Sequence, residues 1–438
     1  MAGYLERYDA TPDAQKWALA RGWIDNEPLP FFKELREQRP VLVTPSCTLI
    51  ARYDDVIEAL NMPKIFTVTL YVPKMNNGLY LMAHDDDALH YREKSIMQGL
   101  LNRDDVPRIR TMVSQIAKNL LDAAGGKIEA VNGYCRMVPA SLVRDYFGLK
   151  GAALTDLMEW SYWNQVDTFY NQPFDLISPD ERASITASHD QVNKAMSLYI
   201  GKHAALRLVE ITAAAPVTFV QKIVYTLRSL LGRKPAMPVD DILSRMLRTS
   251  YPVEMEFDIA RLAINASGLL IGTVETTSQA SAQTIQYLLE RPELFAQAQV
   301  AAKAADPSAF DSIVWEALRF VPISPYMFRQ LSCDYTIGKG KDYATTILKG
   351  TNVLTLTQSA MFDPRAYDDP DTFKPGRNWY NHFVFGYGSH ECLGKYIGMV
   401  LIPEMVRQML LRPGLKQDGR IDYAGQHLPQ KYNLEWAA

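Results

Sequence analysis

The spacing of apolar residues changes along the chain, and each spacing predicts a different kind of secondary structure. Up to about residue 80, short apolar runs such as Val41 to Thr44 and Leu49 to Arg52 alternate with polar residues, which is typical of strands in a small sheet. One short helix is predicted after Asp54. From about Ala88 to Leu288, apolar residues recur every three or four positions, which predicts successive helices near residues 107–123, 138–148, 188–209 and 255–288.

The last quarter of the chain loses the helical period. Strand-like runs at Tyr335 to Gly338, Thr346 to Leu348 and Asn352 to Thr355 precede a coil rich in Pro and Asp from Asp363 to Arg377. A final amphipathic helix is predicted after Cys392. The pattern therefore predicts a mainly α fold with small β-sheets, and the absence of repeats and Gly/Ser linkers favours a single domain over residues 1–438.

One helical segment is unlike the others. Residues 217–231, VTFVQKIVYTLRSLL, place their large apolar side chains on one stripe, with Lys222 and Arg228 off it. We interpret 210–236 as an extra helical insertion. Packing on the protein's own core is the favoured interpretation, and a helix that lies on a membrane surface or binds a partner is the alternative.

Composition and charge exclude several classes of protein. With 438 residues, 47% of them hydrophobic, the chain can bury a large core, and its formal net charge of −3 provides no field that would attract nucleic acid. The four cysteines are far apart and form no C-x-x-C pair. The N-terminus is polar and acidic, unlike a signal peptide, and no apolar run reaches about 18 residues. We expect a cytoplasmic protein without disulfides.

The segment that carries chemistry is FVFGYGSHECLGK, residues 383–395. Glycines at 386, 388 and 394 surround Cys392, which immediately precedes a predicted helix. Glycines allow tight turns and a close approach of the backbone to a flat ligand. A sulfur at a helix N-terminus is favoured as a thiolate, because the free amides and the helix dipole stabilise negative charge. The segment therefore predicts a thiolate ligand for a metal centre.

Six residues of this segment match a known signature: Phe385, Gly386, Gly388, His390, Cys392 and Gly394 resemble the haem-binding loop of the cytochromes P450. The resemblance implies the P450 fold, with a haem between the long central helix and the cysteine loop. It also implies haem b, iron protoporphyrin IX, held non-covalently apart from the bond between Cys392 and iron. Thiolate ligation favours cleavage of the O–O bond. His390 would reach a haem propionate.

Two further motifs occur in family order. Glu316 and Arg319, at i and i+3 in VWEALRFVP, share one side of a helix and resemble the family's E-x-x-R pair, with Arg377 as its third member. Their expected role is to hold the coil that presents the cysteine loop. In the long helix, Gly272 to Thr277 read GTVETT, a cluster of poor helix formers. The resemblance implies that Glu275 and Thr276 relay protons there.

The resemblance also predicts the residues that bind the propionates. His90 and Lys94 resemble the family's H-x-x-x-R helix, with Lys in place of Arg, and Arg329 matches the position of a further cation. The chain departs from the family where Thr273 replaces the usual Gly and Leu348 replaces the usual Pro.

The resulting hypothesis is a soluble haem-thiolate monooxygenase that hydroxylates or dealkylates an apolar or aromatic small molecule. The chain carries no sign of a flavin or iron–sulfur domain, so a separate ferredoxin and NAD(P)H-dependent ferredoxin reductase would supply electrons and dock near Lys395 and Arg92. Candidate pocket residues are Phe66, Leu70, Tyr71, Trp160, Trp163 and Phe169. A peroxide-using or isomerising haem-thiolate enzyme and a non-catalytic haem sensor are the alternatives.

Overall fold

The computed structural model describes residues 2–75, 78–85, 87–230, 241–249, 251–379 and 382–437, with the side chains of 215–230 excepted. Helices dominate the described residues, as the apolar spacing predicts. They are α1 (Tyr4–Ala10), α2 (Asp13–Asn26), α3 (Pro28–Gln38), α4 (Tyr53–Leu60), α5 (Ala88–Leu100), α6 (Val106–Ala124), α7 (Met137–Leu142), α8 (Leu154–Tyr170), α9 (Pro179–Leu230), α10 (Ile242–Arg248), α11 (Ile259–Leu289), α12 (Pro292–Ala302), α13 (Ser308–Phe320), α14 (Thr357–Ala360) and α15 (Lys395–Leu410).

The strands form three small sheets. A five-stranded sheet has the order β1-β2-β8-β5-β3, in which β2 and β8 are parallel and the other pairs are antiparallel. A three-stranded antiparallel sheet, β4-β10-β9, joins the first third of the chain to its C-terminal part, and β6 pairs with β7. The strands are β1 (Val41–Val43), β2 (Thr48–Ile50), β3 (Phe66–Thr67), β4 (Lys127–Glu129), β5 (Met327–Leu331), β6 (Tyr335–Ile337), β7 (Thr345–Ile347), β8 (Asn352–Thr355), β9 (Lys416–Asp422) and β10 (Lys431–Glu435).

The long central helix is α11, and it lies in the largest hydrophobic cluster. Asp258 caps its N-terminus by accepting a hydrogen bond from the amide of Arg261, 2.8 Å away. Side chains on most of its circumference are buried against α7, α8, α13 and α15, which explains the apolar run over residues 262–274. The helix thereby forms one wall of the interior, and α15 approaches it with the cysteine loop at its N-terminal end.

The N-terminal region contains more helix than predicted, although α4 lies where the one short helix after Asp54 was predicted. Residues 4–38 form α1, α2 and α3, whose aromatic side chains Trp17, Trp23, Phe31 and Phe32 pack into a second buried cluster with the strand residue Phe328. The helix signals there are weak, because α1 is short and α2 shows little separation of apolar and polar faces. The pair β9 and β10 was also not predicted.

The segment interpreted as an insertion continues α9. The helix runs to Leu230, and residues 231–236 of the predicted insertion lie outside the described residues. Among the helices that the structure describes, none combines the length and apolarity needed to cross a membrane.

Candidate active site

The cysteine loop turns tightly before α15 and exposes Cys392 to a cavity. The amide of Cys392 donates to the carbonyl of Phe385 at 2.7 Å, which closes the loop. Gly386 and Gly388 have φ of 79° and 70°, in the left-handed region that favours glycine. A Cβ on Gly388 would also lie 2.9 Å from the carbonyl oxygen of Leu60. Both glycines are therefore needed for the loop to present the sulfur.

The thiol of Cys392 is open to the cavity, although protein surrounds it. Burial raises the pKa of Cys392, while the amide of Gly394 and the ammonium of Lys94 lower it. The donors that favour the thiolate are thus in place beside the sulfur. A metal ion bound there would add the largest favourable charge.

His90 and Lys94 lie behind the loop and hold its backbone. Nε2 of His90 lies 3.0 Å from the carbonyl oxygen of Ser389, and Nδ1 lies 2.7 Å from that of Leu81. The ammonium of Lys94 donates to the carbonyls of Ser389 and Glu391, the latter at 2.8 Å. Neither side chain lines the cavity. Both side chains therefore position the cysteine loop, and the expected contact with a propionate stays a prediction.

His390 and Arg329 face the cavity with unused hydrogen-bonding capacity. Both ring nitrogens of His390 are buried without a partner among the described residues. Burial lowers the pKa of His390 to about 2, and the nearby Arg329 and Lys94 contribute to this effect. Arg329, on β5, is 4% exposed and donates only to the carbonyl of Phe328, at 2.8 Å, without an ion pair in the described part of the chain.

A buried cation without an ion pair among the described residues, beside an unsatisfied imidazole, favours the binding of an anionic group from outside the chain. The carboxylates of a haem would meet this requirement. The glycine-lined loop leaves room for a flat ring, and the Cys392 thiol is free to ligate iron. The residues present therefore fit a haem bound through a thiolate.

The wall of the cavity formed by α11 contains the predicted acid and alcohol. Oγ1 of Thr276 donates to the carbonyl of Gly272 at 2.6 Å, and Oγ1 of Thr273 donates to that of Leu269 at 2.7 Å. The carbonyl of Ile271 accepts two further bonds from α8. Hydroxyl and amide groups thus bind three carbonyls within one turn. The cluster of poor helix formers predicts the two bonds from threonine hydroxyls.

The donors to Ile271 come from the helix that crosses α11. Oγ of Ser161 lies 3.2 Å from this carbonyl oxygen, and Nε2 of Gln165 lies 2.7 Å from it. Both donors are buried. The sequence analysis did not single out these residues, although two polar side chains one turn apart on a mostly apolar helix are a signal for such a role.

Glu275 is held in a buried ion pair. Nε of Arg136 lies 2.8 and 3.0 Å from the two carboxylate oxygens. Arg136 is fixed in turn by Oδ1 of Asn132 at 2.7 Å and the carbonyl of Pro429 at 3.0 Å. Burial raises the pKa of Glu275 to about 7, although Arg136 lowers it. Arg136 was not predicted, and its only sequence signal is a charge that immediately precedes the apolar run of α7.

Glu316, Arg319 and Arg377 come together as one buried network. The carboxylate of Glu316 accepts from Arg319 at 2.7 and 3.1 Å and from Arg377 at 3.2 Å. Arg319 is fully buried and also donates to the carbonyls of Met361, Pro370 and Thr372. The network fastens the coil that leads to the cysteine loop.

The ring of Phe385 lies between α13 and α15. Its centroid is 5.5 Å from that of Trp315, and a Cβ on Gly398 would lie 2.7 Å from the ring. Gly398 therefore makes room for the first residue of the signature, a function that the sequence analysis missed.

The cavity has a volume of about 1030 Å³ and reaches from Cys392 to α2 and α8. Of the candidate pocket residues, Tyr71 and Phe169 line it. Phe66, Leu70, Trp160 and Trp163 are not among the residues that line it. They pack in hydrophobic clusters because the faces of their elements turn away from the cavity.

A thiol at the entry to a helix, a cation without an ion pair in the described part of the chain and a cavity between them fit a haem-thiolate site. The chain belongs to the cytochrome P450 family, whose model, described as Cytochrome P450, matches residues 184–418. The protein is therefore an oxidoreductase of the haem-thiolate class. The family and fold expected from the cysteine signature are confirmed.

Individual relatives are distant but extend over most of the chain. A steroid C26-monooxygenase of Mycolicibacterium smegmatis is 22% identical over 362 residues, 82% of this chain and 79% of the relative. Pulcherriminic acid synthase of Bacillus subtilis is 25% identical over 391 residues, 85% of this chain and 84% of the relative. Open cytochrome P450 Eryk from S. erythraea superposes with a TM-score of 0.73 at 21% identity, covering 94% of this chain and 96% of that one.

Proposed function

We propose that the protein is a monooxygenase that activates dioxygen at a haem b and oxidises a largely apolar small molecule. The single observation that carries this proposal is the Cys392 thiol, which opens to a cavity whose wall also contains Glu275 and Thr276. Relatives named as monooxygenases and hydroxylases support it.

Four residues account for binding of the haem. Cys392 would ligate the iron, while Arg329 and His390 would take the propionates, which supply the missing partners of both side chains. Phe385 would support the ring from the side of the cysteine loop. When bound, the haem supplies the electron transfer and the dioxygen chemistry.

Thr276 and Glu275 would manage the two protons that the reaction consumes. One oxygen atom of dioxygen enters a C–H bond of the substrate and the other leaves as water, with two electrons from NAD(P)H and two protons from solvent. Thr276 can hold a water in the cavity beside α11, since its hydroxyl donates to the carbonyl of Gly272 and retains acceptor capacity. Glu275, with a pKa near 7, can give up and regain a proton at neutral pH.

The apolar part of the cavity favours an apolar substrate. Phe169, Tyr71 and Phe328 form an aromatic cluster at the wall, with ring centroids 4.9 to 6.0 Å apart. Ile264 of α11 and Met196 of α9 add aliphatic surface. Such walls exclude water and bind apolar groups without fixing their orientation.

Electrons would come from a ferredoxin and its NAD(P)H-dependent reductase. The predicted docking cations near the cysteine loop are in ion pairs: Lys395 lies 2.6 Å from Glu391, and Arg92 lies 2.8 Å from Glu256. An acidic partner would compete with these exposed carboxylates, so docking should weaken as salt increases.

The test is spectroscopic and isotopic. The reduced carbon monoxide adduct should show the long-wavelength Soret band of thiolate ligation, and Cys392→Ser should abolish it. The matched control is Cys333→Ser, which alters an exposed cysteine. With ¹⁸O₂, NADH and a surrogate ferredoxin system, product should carry one ¹⁸O atom.

Retention of the Soret band in Cys392→Ser would refute the ligand assignment. Product labelled only from added hydrogen peroxide would indicate the peroxide-using alternative, and spectral shifts without any product would indicate a sensor.

A further inference from the structure

The cavity contains a polar patch on α8, formed by Asn164, Gln165 and Thr168. These residues occupy positions i, i+1 and i+4, so Asn164 and Thr168 share one face of the helix. All three line the cavity, and their side chains are at most 6% exposed. Polar groups this deeply buried cost free energy unless they are hydrogen-bonded.

Each amide nitrogen of this patch uses one of its two N–H groups within the protein. Nδ2 of Asn164 donates to the carbonyl of Trp160 at 2.8 Å, and Nε2 of Gln165 donates to that of Ile271 at 2.7 Å. These backbone acceptors fix the orientation of both amide groups, because a flipped amide would place oxygen against oxygen. The amide oxygens of Asn164 and Gln165 must therefore face elsewhere.

Neither amide oxygen accepts a hydrogen bond from the described residues, and neither is sealed inside the protein. Since both side chains line the cavity, the accessible surface of these oxygens belongs to the cavity wall. The patch thus presents two acceptors whose orientation is fixed. The hydroxyl of Thr168 can act as donor or acceptor beside them.

The charges in the wall are paired within the protein, apart from the one assigned to the haem. Arg21 pairs with Asp25 and Asp175, Lys74 pairs with Asp167 at 3.0 Å, and Glu275 pairs with Arg136. Because each of these charged side chains already has a partner within the protein, none is left to pair with an ionised substrate, which disfavours carboxylates and ammonium ions.

We infer that the substrate is a neutral, mainly apolar molecule that donates an N–H or O–H hydrogen bond to the amide oxygens of Asn164 and Gln165. This inference rests on the proposed function, since it concerns the molecule that the haem would oxidise. Secondary amides, lactams and alcohols have the required chemistry. Ethers, esters and pure hydrocarbons leave both oxygens without a partner.

The experiment compares probes that differ only in the donor. The lactam 3,4-dihydroquinolin-2-one is paired with the lactone 3,4-dihydrocoumarin, in which oxygen replaces N–H. The second pair is 4-phenylphenol and 4-fluorobiphenyl. Titration of the haem Soret band and calorimetry measure each affinity. At least one donor should bind about tenfold or more tightly than its partner, the cost of leaving buried acceptors unpaired. The two pairs distinguish N–H from O–H donors.

Variants connect the preference to the patch. Asn164→Leu and Gln165→Leu should each reduce the preference for the donor toward equal affinity. Ser161→Ala is the matched control, because it removes a donor to Ile271 but no acceptor from the cavity wall. It should keep the preference of the parent.

Equal affinities within both pairs would overturn the inference while the thiolate Soret band remains. Failure of both donors, the lactam and the phenol, to bind would overturn it as well. A preference that persists in both leucine variants would also overturn it. Loss of the proposed function would appear differently, as a missing thiolate band in the parent protein.

Discussion

Arg136 binds the carboxylate of Glu275 in α11, and its Nε lies 2.8 and 3.0 Å from the two oxygens. The pair joins the proposed proton donor to a residue 139 positions earlier in the chain. Burial nevertheless raises the pKa of Glu275 from 4.5 to about 7. Arg136 from the region before α7 faces this carboxylate, as does Tyr162 from α8. The acid is therefore poised to change its charge near neutral pH.

The first prediction concerns the pH dependence of coupling. The protonated fraction of Glu275 falls as pH rises through about 7, so product formed per NADH should fall over the same range. Arg136→Met removes the interaction that lowers this pKa and should shift the midpoint to higher pH. Arg248→Met, at an exposed position, is the control. Identical midpoints in the parent and Arg136→Met would contradict the prediction.

The same pKa makes a prediction about stability. Because the folded-state pKa of Glu275 lies above its ordinary value of 4.5, the native state binds more protons between pH 4.5 and about 7. The contribution of Glu275 to the free energy of unfolding is thus fully present below pH 4.5 and is lost as pH rises through 7. Urea unfolding at several pH values should show this slope, and Glu275→Gln should remove it. A slope unchanged in that variant would assign it to other groups.

The third prediction concerns the hydroxyl of Thr276. Thr276→Ala should retain substrate binding and electron uptake but release hydrogen peroxide in place of product, because the water that its hydroxyl would hold is lost. A positioned proton donor typically contributes about 10²–10⁴-fold. NADH consumed, product formed and peroxide released are measured together. Ser267→Ala, which removes a comparable hydroxyl-to-carbonyl bond from α11, should stay coupled. Unchanged product per NADH in Thr276→Ala would reduce its role to a helix contact.

Removal of Glu316 should destabilise the protein before it affects chemistry. Arg319 is fully buried, and without Glu316 its charge loses its carboxylate partner. Breaking such a buried pair costs about 3–5 kcal/mol. Glu316→Ala should therefore give little soluble, haem-loaded protein, whereas Glu293→Ala, on an exposed turn of α12, should express normally. Thermal unfolding and the ratio of haem to protein provide the comparison, and a fully loaded, stable Glu316→Ala protein would refute the structural role.

Arg329→Met should affect the haem-free and haem-loaded proteins in opposite directions. The guanidinium is buried without an ion pair in the described residues, so the haem-free variant should be at least as stable as the parent. The haem-loaded variant lacks a charge-assisted bond to a propionate and should lose haem about tenfold faster or more. Transfer of haem to apomyoglobin measures this rate, and Arg329→Lys should be intermediate. Equal rates of haem loss would place the propionates elsewhere.

Local signals explain which parts of the site could be predicted. The cysteine loop is one continuous segment whose glycines and sulfur have fixed spacing, and Glu316 and Arg319 are one helical turn apart. Such arrangements are visible in the sequence. The family resemblance added Arg377, which a span of 61 residues separates from Glu316.

The missed contacts depend on how helices are rotated in the fold. Gln165 and Ile271 are 106 positions apart, and nothing in either segment indicates the other. The aromatic residues of α8 show the same limit: Trp160 faces the core and packs on Tyr199, whereas Phe169 reaches the cavity. Composition identifies both as apolar, and only packing decides which one a substrate could touch.

The side chain of Gln165 connects a molecule bound in the cavity to the backbone of α11. Its N–H donates to a carbonyl of α11, one residue before Gly272, while its oxygen faces the cavity. A planar amide conducts polarisation, so a molecule that donates to the oxygen strengthens the N–H as a donor. With such a donor bound, the carbonyl of Ile271 in α11 would be polarised through this single amide group, without movement of a helix.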